Sequence, residues 1–195
     1  TLWAYDYLRS RGVRHKAIVI TPLSTLERTW ADELFNHFPH LTHAVLHGSR
    51  ERRLKLLEQD VDLYLINHDG IKVSGFVEAL ASRDNIDLVI VDEIAQVART
   101  AGADRFKALN TIINRQVPRA AWGLTGTPIP NSPTDAWAQC KLVTPDNPGV
   151  PKYFGLFRDM VMRQVTQFKW VPRAEATEVI HKMMQPAIRF SLDDC

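Results

Sequence analysis

Two adjacent carboxylates follow a continuous apolar run in the middle of the chain. The run covers Leu88–Val91, and Asp92 and Glu93 come directly after it. In phosphoanhydride hydrolysis, one acid can hold the hydration shell of a magnesium ion while its neighbour faces the γ-phosphate and orients the attacking water. Carboxylates at a buried strand are costly unless a cation or hydrogen bonds compensate them. The alternative for this dipeptide is a pair of solvated acids between a strand and a loop.

A second apolar run, Ala121–Leu124, ends in Thr125-Gly126-Thr127 and a proline. Gly126 allows a sharp backbone turn, and the two threonine hydroxyls could donate hydrogen bonds to Glu93 and so respond to a γ-phosphate. Ligands bind at the carboxyl ends of strands in open α/β sheets. Acids and hydroxyls at one such edge therefore indicate Mg-nucleotide chemistry. A simple turn before a helix explains the proline, but it does not explain two threonines around a glycine.

A parallel sheet is needed to bring these groups together. Apolar, β-branched runs predict buried strands at Ala17–Ile20, Ala44–Leu46, Leu63–Ile66, Leu88–Val91 and Ala121–Leu124. Helical patterns lie between them at Leu23–Phe38, Glu51–Gln59, Gly70–Ala81 and Asp104–Gln116, with Asp104 as N-cap and Pro118 as a stop. This alternation predicts an α/β fold with a parallel sheet, helices on both faces and right-handed crossovers.

The pattern changes beyond Thr144. Three prolines and a glycine between positions 145 and 151 form a turn-rich stretch. We predict helices over Lys152–Val165 and Ala174–Met184, and a short strand or extended segment over Ala187–Leu192. The tail is expected to pack on the sheet without a core of its own. The predicted division is a lobe over residues 1–144 and a short, mostly helical extension over residues 145–195.

The acid and threonine motifs, with their flanking residues, resemble the first RecA-like lobe of SNF2-type superfamily 2 helicases. The match rests on Val91–Ala95, Leu124–Asn131 and Asp135-Ala136-Trp137, it spans residues 1–144, and it is strongest to compact phage and bacterial members. The resemblance implies a RecA-like (P-loop NTPase-type) helicase lobe that binds ATP and Mg²⁺, within a DNA-dependent ATPase or translocase. Asp92 would then hold Mg²⁺ through water, Glu93 would serve hydrolysis, and the threonine motif would couple hydrolysis to DNA movement.

The same resemblance places nucleic-acid contacts at two strand ends. Ile18–Pro22 and the helix through Trp30 and Phe35 resemble the family's first DNA-contact motif, and Leu65–Asp69 stands where the family has a second. Within and beside them, the candidates for contact are Thr21, Pro22, Ser24, Asn67, His68 and Lys72. Hydroxyls, amides and helix N-termini bind phosphates, so they position a duplex without reading its sequence. For each residue alone, a helix cap or a solvated loop is the alternative.

Two parts of the family pattern are missing from the sequence. No Gly-x-x-x-x-Gly-Lys-Ser/Thr occurs in it, although the backbone amides and lysine of that loop cradle nucleotide phosphates. The family places this loop just before the helix with which the chain begins. The second RecA-like lobe, which supplies arginines across the cleft and would be the partner of the extension, also has no counterpart here. Residues 1–195 alone are therefore expected to have negligible ATPase activity.

Two rival functions stay open. A DEAD-box RNA helicase usually carries Ser-Ala-Thr where this chain has Thr125-Gly126-Thr127, and Ala-Asp where it has Ile94-Ala95. The other rival is a catalytically inert RecA-like module that docks nucleic acid or protein. Near the end of the chain, Phe168 and Trp170 flank Lys169 and could stack on a base, although packing of the tail on the sheet is the alternative.

Composition sets the remaining limits. Hydrophobic residues make up 45% and charged residues 24% of the 195 positions, as in a soluble globular domain. The net charge of +2 gives no strong global attraction to nucleic acid. Two cysteines, Cys140 and Cys195, offer no disulfide framework. No apolar run approaches the roughly 18 residues of a membrane span, and we expect a cytoplasmic protein. Four histidines (His37, His40, His43 and His47) lack the spacing of a metal site.

Overall fold

Five parallel strands form the central sheet of the computed structural model, which describes residues 1–115 and 119–190. The strands are β1 (Lys16–Thr21), β2 (His43–Val45), β3 (Leu63–Asn67), β4 (Ile86–Val91) and β5 (Ala120–Gly123). Their spatial order is β2-β3-β1-β4-β5, so β1 pairs with β3 on one side and β4 on the other. The predicted parallel α/β fold is confirmed, and the carboxyl ends of β1, β3, β4 and β5 meet at one edge.

Helices cover both faces of the sheet. They are α1 (Leu2–Ser10), α2 (Leu23–Thr25), α3 (Asp32–His37), α4 (Arg50–Leu57), α5 (Phe76–Ala81), α6 (Ile94–Val97), α7 (Asp104–Ile113), α8 (Ala136–Val143), α9 (Phe154–Val161) and α10 (Ala176–Met183). Successive side chains of a strand point to opposite faces. In β1, Ala17 and Val19 pack with α1 and the segment 23–37, whereas Ile18 and Ile20 pack with α4, α5, α7 and α8.

The helix predicted over Leu23–Phe38 contains an irregular centre. A π-helical turn, Leu26–Ala31, connects α2 to α3. A π turn holds one more residue than an α turn, and such turns are frequent at functional sites. The helix predicted over Gly70–Ala81 is likewise divided, because Gly75 has a left-handed backbone (φ 75°) between the 3-10 turn Gly70–Lys72 and α5.

Two boundaries of the predicted α7 differ from the expectation. Ala103, not Asp104, is the N-cap residue, and Asp104 is the first helical residue. A carboxylate in the first turn interacts favourably with the positive end of the helix dipole without capping it. The helix ends at Ile113, and the predicted end at Gln116 with its stop at Pro118 lies outside the described residues.

The tail is less helical than predicted. The helix expected to reach Val165 ends at Val161, and the chain continues as an antiparallel hairpin of β6 (Met162–Thr166) and β7 (Lys169–Pro172). That part of the prediction was wrong, because the apolar residues before Val165 also fit a helical period. Positions 187–190 carry no regular structure, while residues 191–195, with the predicted end of that segment and Cys195, lie outside the described part.

The tail nevertheless packs on the sheet. Phe157 and Val161 of α9 and Ile180 of α10 belong to the same buried cluster as Val89 and Val91 of β4. The expected packing is therefore present, while the division of the chain at residue 144 stays a prediction. In the ranges 1–115 and 119–190, no helix has the length and apolarity to cross a bilayer. The cytoplasmic location also stays a prediction.

Arg119 is a buried cation at the edge of the sheet opposite the carboxyl ends of the strands. Arg119 precedes β5, and its guanidinium donates to the backbone carbonyl oxygens of Leu80, Arg83 and Ile86 (2.7 Å each) and Ile112 (2.8 Å). Burial is the main reason that the pKa of Arg119 falls to about 10. The side chain thus connects the ends of α5 and α7 to the start of β4.

Candidate nucleotide-hydrolysis site

Asp92 is fixed at the point where β4 ends. Its backbone N–H donates to the carbonyl of Ile20 (2.9 Å), which extends the pairing of β4 with β1 by one residue. Its carboxylate oxygen Oδ2 accepts hydrogen bonds from the Thr21 hydroxyl (2.8 Å) and from the indole N–H of Trp30 (3.0 Å). A carboxylate with two donors on one oxygen is held in one orientation.

The two donors to Asp92 are buried, and a third residue orders one of them. Thr21 is fully buried and Trp30 is 7% exposed. The Thr25 hydroxyl lies 2.6 Å from that of Thr21. Because Thr21 donates its single proton to Asp92, its oxygen accepts from Thr25, whose one proton is shared with the Pro22 carbonyl (3.1 Å). The chain of donors therefore runs from Thr25 through Thr21 to Asp92.

His68 supports the backbone of Asp92 from the other side. Its Nε2 lies 2.9 Å from the Asp92 carbonyl oxygen, so Nε2 carries the proton and donates it. Burial is the largest cause of the lowered pKa of His68, which favours the neutral ring. The backbone N–H of His68 donates to the Thr21 carbonyl (3.0 Å), which continues the pairing of β3 with β1.

Glu93 has a backbone conformation that is rare for its residue type. Its φ of 51° and ψ of 47° place it in the left-handed region, and only glycine adopts this region without cost. The turn directs the chain away from the strand into the short helix α6. The backbone N–H of Ile94 then donates to the Leu124 carbonyl, and that of Leu124 donates to the Val91 carbonyl (2.9 Å each). The acid turn and the threonine loop are therefore neighbours.

The predicted hydrogen bonds from the threonines to Glu93 are absent from the described contacts. Instead, the Thr125 hydroxyl accepts a hydrogen bond from the backbone N–H of Thr127 (3.2 Å). The hydroxyl is the acceptor in this local turn, as Ser and Thr side chains often are in loops. Gly126 and Thr127 are exposed. The structure thus brings Asp92, Glu93 and Thr125–Thr127 to one edge. Backbone hydrogen bonds join the flanking residues Ile94 and Leu124, whereas no described side-chain bond joins Glu93 to the threonines.

Residues after the loop hold it in place. Gln139 of α8 donates through Nε2 to the carbonyl oxygens of Pro128 (2.6 Å) and Asp135 (3.1 Å). The carboxylate of Asp135 accepts from the backbone N–H groups of Asn131 (3.1 Å) and Ser132 (3.2 Å), and Ser132 caps the following 3-10 turn, Pro133–Asp135. Gln139 was not predicted, because its side chain is buried by tertiary packing that no local pattern marks.

Five of the residues predicted to contact nucleic acid have different surroundings. Thr21 and His68 are buried against Asp92, and Asn67 accepts a hydrogen bond from the Arg53 guanidinium (3.4 Å). Pro22 is half-buried and Ser24 is exposed. Contact of these residues with nucleic acid stays a prediction.

Ser24 opens onto a cleft at the carboxyl edge of the sheet. The cleft has a volume of about 490 Å³ and is lined by Leu23, Ser24, Leu26, Glu27, Arg28 and His47. It lies beside the π turn that carries Trp30. Ser24, Arg28 and His47 offer hydrogen-bond donors to the cleft, and Glu27 adds a carboxylate.

The site has the donors that a magnesium ion would need. Oδ1 of Asp92 accepts no hydrogen bond from the described residues, so it is open to a metal-bound water. Residues 1–115 and 119–190 contain no group of three or more His, Cys, Asp or Glu side chains arranged for a metal ion. Mg²⁺ in nucleotide sites is commonly held by one or two carboxylates, phosphates and water. The donor set at Asp92 fits that pattern.

The strand order, the acid at the end of β4 and the threonine loop beside it define a RecA-like α/β lobe of the ATPase class. The chain belongs to the SNF2-related domain family, whose sequence model matches residues 3–192. The resemblance inferred from the motifs is thereby confirmed. Membership in this ATPase family implies that the lobe binds a nucleotide.

Similar proteins come from a phage, an animal and an archaeon. Protein p41 of Acyrthosiphon pisum secondary endosymbiont phage 1 is 29% identical over 151 residues, which cover 73% of this chain and 32% of that protein. The human lymphoid-specific helicase is 24% identical over 93% of this chain and 22% of its own length. The chain thus spans a third or less of these relatives.

Two solved structures of a Sulfolobus solfataricus SWI2/SNF2 ATPase core are also similar. The core in complex with double-stranded DNA has a TM-score of 0.65 and 25% identity, covering 81% of this chain and 30% of that one. The core domain alone has a TM-score of 0.61 and 26% identity at the same coverage. The RecA-like fold is therefore shared with an SNF2-type ATPase core.

Proposed function

We propose that this chain is the ATP-binding lobe of an SNF2-type, DNA-dependent ATPase that couples ATP hydrolysis to movement along DNA. The observation that carries the proposal is the oriented carboxylate of Asp92 at the end of β4. Thr21 and Trp30 hold one of its oxygens and leave the other open. Glu93 follows in a left-handed turn whose next residue is bonded to the threonine loop.

Asp92 and Glu93 would serve a bound Mg-ATP in different ways. When bound, Mg²⁺ supplies positive charge that offsets the negative charge on the transferring phosphoryl group. The open oxygen of Asp92 would hold the ion through water. The carboxylate of Glu93, turned away from the strand by its backbone, would orient the attacking water and accept its proton. Thr21, Trp30 and His68 would keep the acid in register with β1.

The hydrogen bonds between the acid turn and the threonine loop support a coupling role for Thr125–Thr127. A shift of Glu93 moves Ile94, whose N–H is bonded to Leu124. The loop beyond Leu124 is bonded through Pro128 to α8. A change at the acid could therefore displace the loop and the helix that follows it.

Double-stranded DNA and a second RecA-like lobe are the proposed partners. The Sulfolobus core was solved with double-stranded DNA, and the cleft beside the π turn offers Ser24, Arg28 and His47. Contacts from hydroxyls and cations to phosphates are independent of sequence. The second lobe would supply arginines across the cleft. A Gly-Lys-Thr loop, which residues 1–195 do not contain, would bind the phosphates.

Glu93→Gln tests the proposed catalytic role. The substitution is made in a protein that joins these residues to a phosphate loop and a second lobe. Loss of a group that accepts a proton in the transition state is expected to lower DNA-stimulated turnover by about 100-fold or more, with ATP affinity little changed. Glu58→Gln, at an exposed carboxylate after α4, is the matched control. Wild-type turnover in Glu93→Gln would refute the assignment.

The nucleic acid that stimulates turnover separates the proposal from its rivals. Stimulation by duplex DNA and not by RNA is expected of the proposed motor. Stimulation by RNA alone would favour the RNA helicase. ATP binding without turnover under any polynucleotide would favour a module that only binds.

A further inference from the structure

The hairpin β6–β7 presents one aromatic side chain to solvent. Phe168 lies in the turn between the strands and is 89% exposed, whereas Trp170 on β7 is partly buried against the core. The two aromatic residues near Lys169 therefore have different roles. Trp170 packs on the domain, and Phe168 does not.

The turn that carries Phe168 has a fixed shape. The Thr166 hydroxyl accepts hydrogen bonds from the backbone N–H groups of Lys169 (3.1 Å) and Phe168 (3.4 Å). Gln164 donates through Nε2 to the carbonyl of Gln167 (3.2 Å). These bonds restrict the turn, so little backbone entropy would be lost when a ligand binds to the exposed ring.

The base of the hairpin is anchored to α9. The guanidinium of Arg158 lies 4.0 Å from the ring centroid of Trp170, a cation–π contact. Arg173, just after β7, donates through Nε to the carbonyl oxygens of Asp159 (3.0 Å) and Met162 (3.1 Å). One face of the hairpin is therefore directed toward the domain.

The opposite face is cationic. Arg163 pairs with Val171 across the strands, and Lys169 precedes Val171 by two residues, so both cations share the face opposite to Trp170. Both are exposed, and neither forms an ion pair with another described residue. The sequence from Met162 to Pro172 contains no Asp or Glu, so nothing within the hairpin neutralises these charges.

The hairpin is also connected to the threonine loop. Phe154 of α9 packs edge-to-face on Trp137 of α8, with ring centroids 5.7 Å apart. The Trp137 indole donates to the Pro151 carbonyl (2.9 Å). Because α8 is bonded to Pro128 through Gln139, a continuous series of contacts runs from the loop through α8 to α9, the helix that precedes the hairpin.

We propose that this hairpin is a DNA-contact element in which Phe168 stacks on an unpaired base and Arg163 with Lys169 binds the adjacent phosphates. The proposal rests on the proposed DNA-dependent motor and adds a contact with single-stranded or junction DNA. Base–aromatic stacking is independent of sequence, as a translocating protein requires. The hairpin combines an exposed aromatic face and two cations that form no ion pair among the described residues with the lack of any acid, and these are the features that bind a polynucleotide.

The test measures the affinity of the 195-residue chain for duplexes with a single-stranded overhang containing 2-aminopurine. Phe168→Ala is expected to weaken binding to the overhang by roughly 5- to 100-fold, the effect of losing one stacked base, and to remove the quenching of 2-aminopurine. Affinity for a blunt duplex should change less than about twofold. Phe168→Trp should retain both signals, because it keeps an aromatic surface.

Two controls separate stacking from charge and from folding. Val165→Ala removes an exposed apolar side chain of the same hairpin (52% exposed) and should leave binding to the overhang unchanged. Lys169→Gln should weaken binding to all DNA and lower the slope of log Kd against log salt by about one. Circular dichroism of each variant verifies that the fold is retained.

Two results would overturn the proposal, and they are distinguishable. If the wild-type chain binds the overhang and Phe168→Ala binds it equally well, the stacking role is wrong, the hairpin is better explained as a protein contact, and the proposed motor stands. If the wild-type chain binds no DNA of either form, both the hairpin contact and the proposed DNA dependence of this lobe fail.

Discussion

Replacing Arg119 with methionine is expected to destabilise the domain while leaving the carboxyl edge of the sheet untouched. The guanidinium donates to four backbone carbonyl oxygens, and the side chain is almost fully buried (6% exposed). Methionine has a similar length and no donors, so the substitution isolates these bonds from the packing of the side-chain stem.

The cost follows from the acceptors left without a donor. The Leu80 carbonyl keeps the backbone N–H of Arg83 as a donor (3.2 Å), and the Arg83 carbonyl keeps Nη1 of Arg115 (3.1 Å). A buried polar group that loses its partner costs about 1–3 kcal/mol, so the two remaining carbonyls, those of Ile86 and Ile112, give about 4 kcal/mol at the middle of that range. Burying the guanidinium is itself unfavourable, as its lowered pKa indicates, and methionine recovers part of that cost. We therefore expect a loss of about 3 kcal/mol in the free energy of unfolding, a large fraction of the ~5–15 kcal/mol typical of a domain.

Urea unfolding at pH 7, followed by circular dichroism, measures this loss. Arg105→Met is the matched control, since Arg105 forms an ion pair with Asp69 across the surface (2.7 Å), and such exposed pairs contribute at most about 1 kcal/mol. A free energy of unfolding for Arg119→Met within 1 kcal/mol of wild type would refute the argument from unpaired carbonyls.

Two further predictions concern the surroundings of Asp92. Trp30→Phe removes the hydrogen bond from the indole N–H to the Asp92 carboxylate. It should lower the maximal turnover of the complete motor by about tenfold with little change in KM for ATP. Trp3→Phe, at an exposed ring, is the control, and a Trp30→Phe turnover equal to that of wild type would contradict the positioning role. The pKa of His68 is lowered in the folded protein. As the pH falls, this histidine is therefore protonated in the unfolded chain before it is protonated in the folded one. The free energy of unfolding should then decrease as the pH falls below about 6.5. His68→Asn should flatten the decrease in urea midpoint between about pH 7.5 and 5.5, and the slope left over should come from His43, whose pKa burial also lowers.

The strands and the acid edge could be predicted from sequence because their signals are local. Ile18–Ile20 and Leu88–Val91 are β-branched or leucine runs that only a buried strand explains well, and Asp92 follows such a run directly. Trp30, by contrast, donates to a residue 62 positions away. Its role depends on a π turn that rotates the indole toward the sheet, and no local pattern marks that turn.

The hairpin after Val161 was missed for a related reason. Met162, Arg163 and Val165 are compatible with a continued amphipathic helix, and the alternative strands are stabilised by tertiary contacts of Trp170 and Arg173. Arg119 and the Nε2 of Gln139 are buried polar groups that donate to carbonyl groups outside their own elements, while the buried Oε1 of Gln139 has no partner among the described residues. Composition and periodicity predict such residues to be exposed.

Under the proposed role of Glu93 in hydrolysis, the left-handed backbone of this residue opposes stability to activity at a single position. A non-glycine residue in that conformation costs on the order of 1 kcal/mol. A glycine there would relieve the strain but would carry no carboxylate to act on water. Directed evolution for heat resistance alone would therefore favour the loss of this side chain, whereas selection for turnover would retain it. A heat-resistant variant of this lobe is thus best sought at positions on the opposite edge of the sheet.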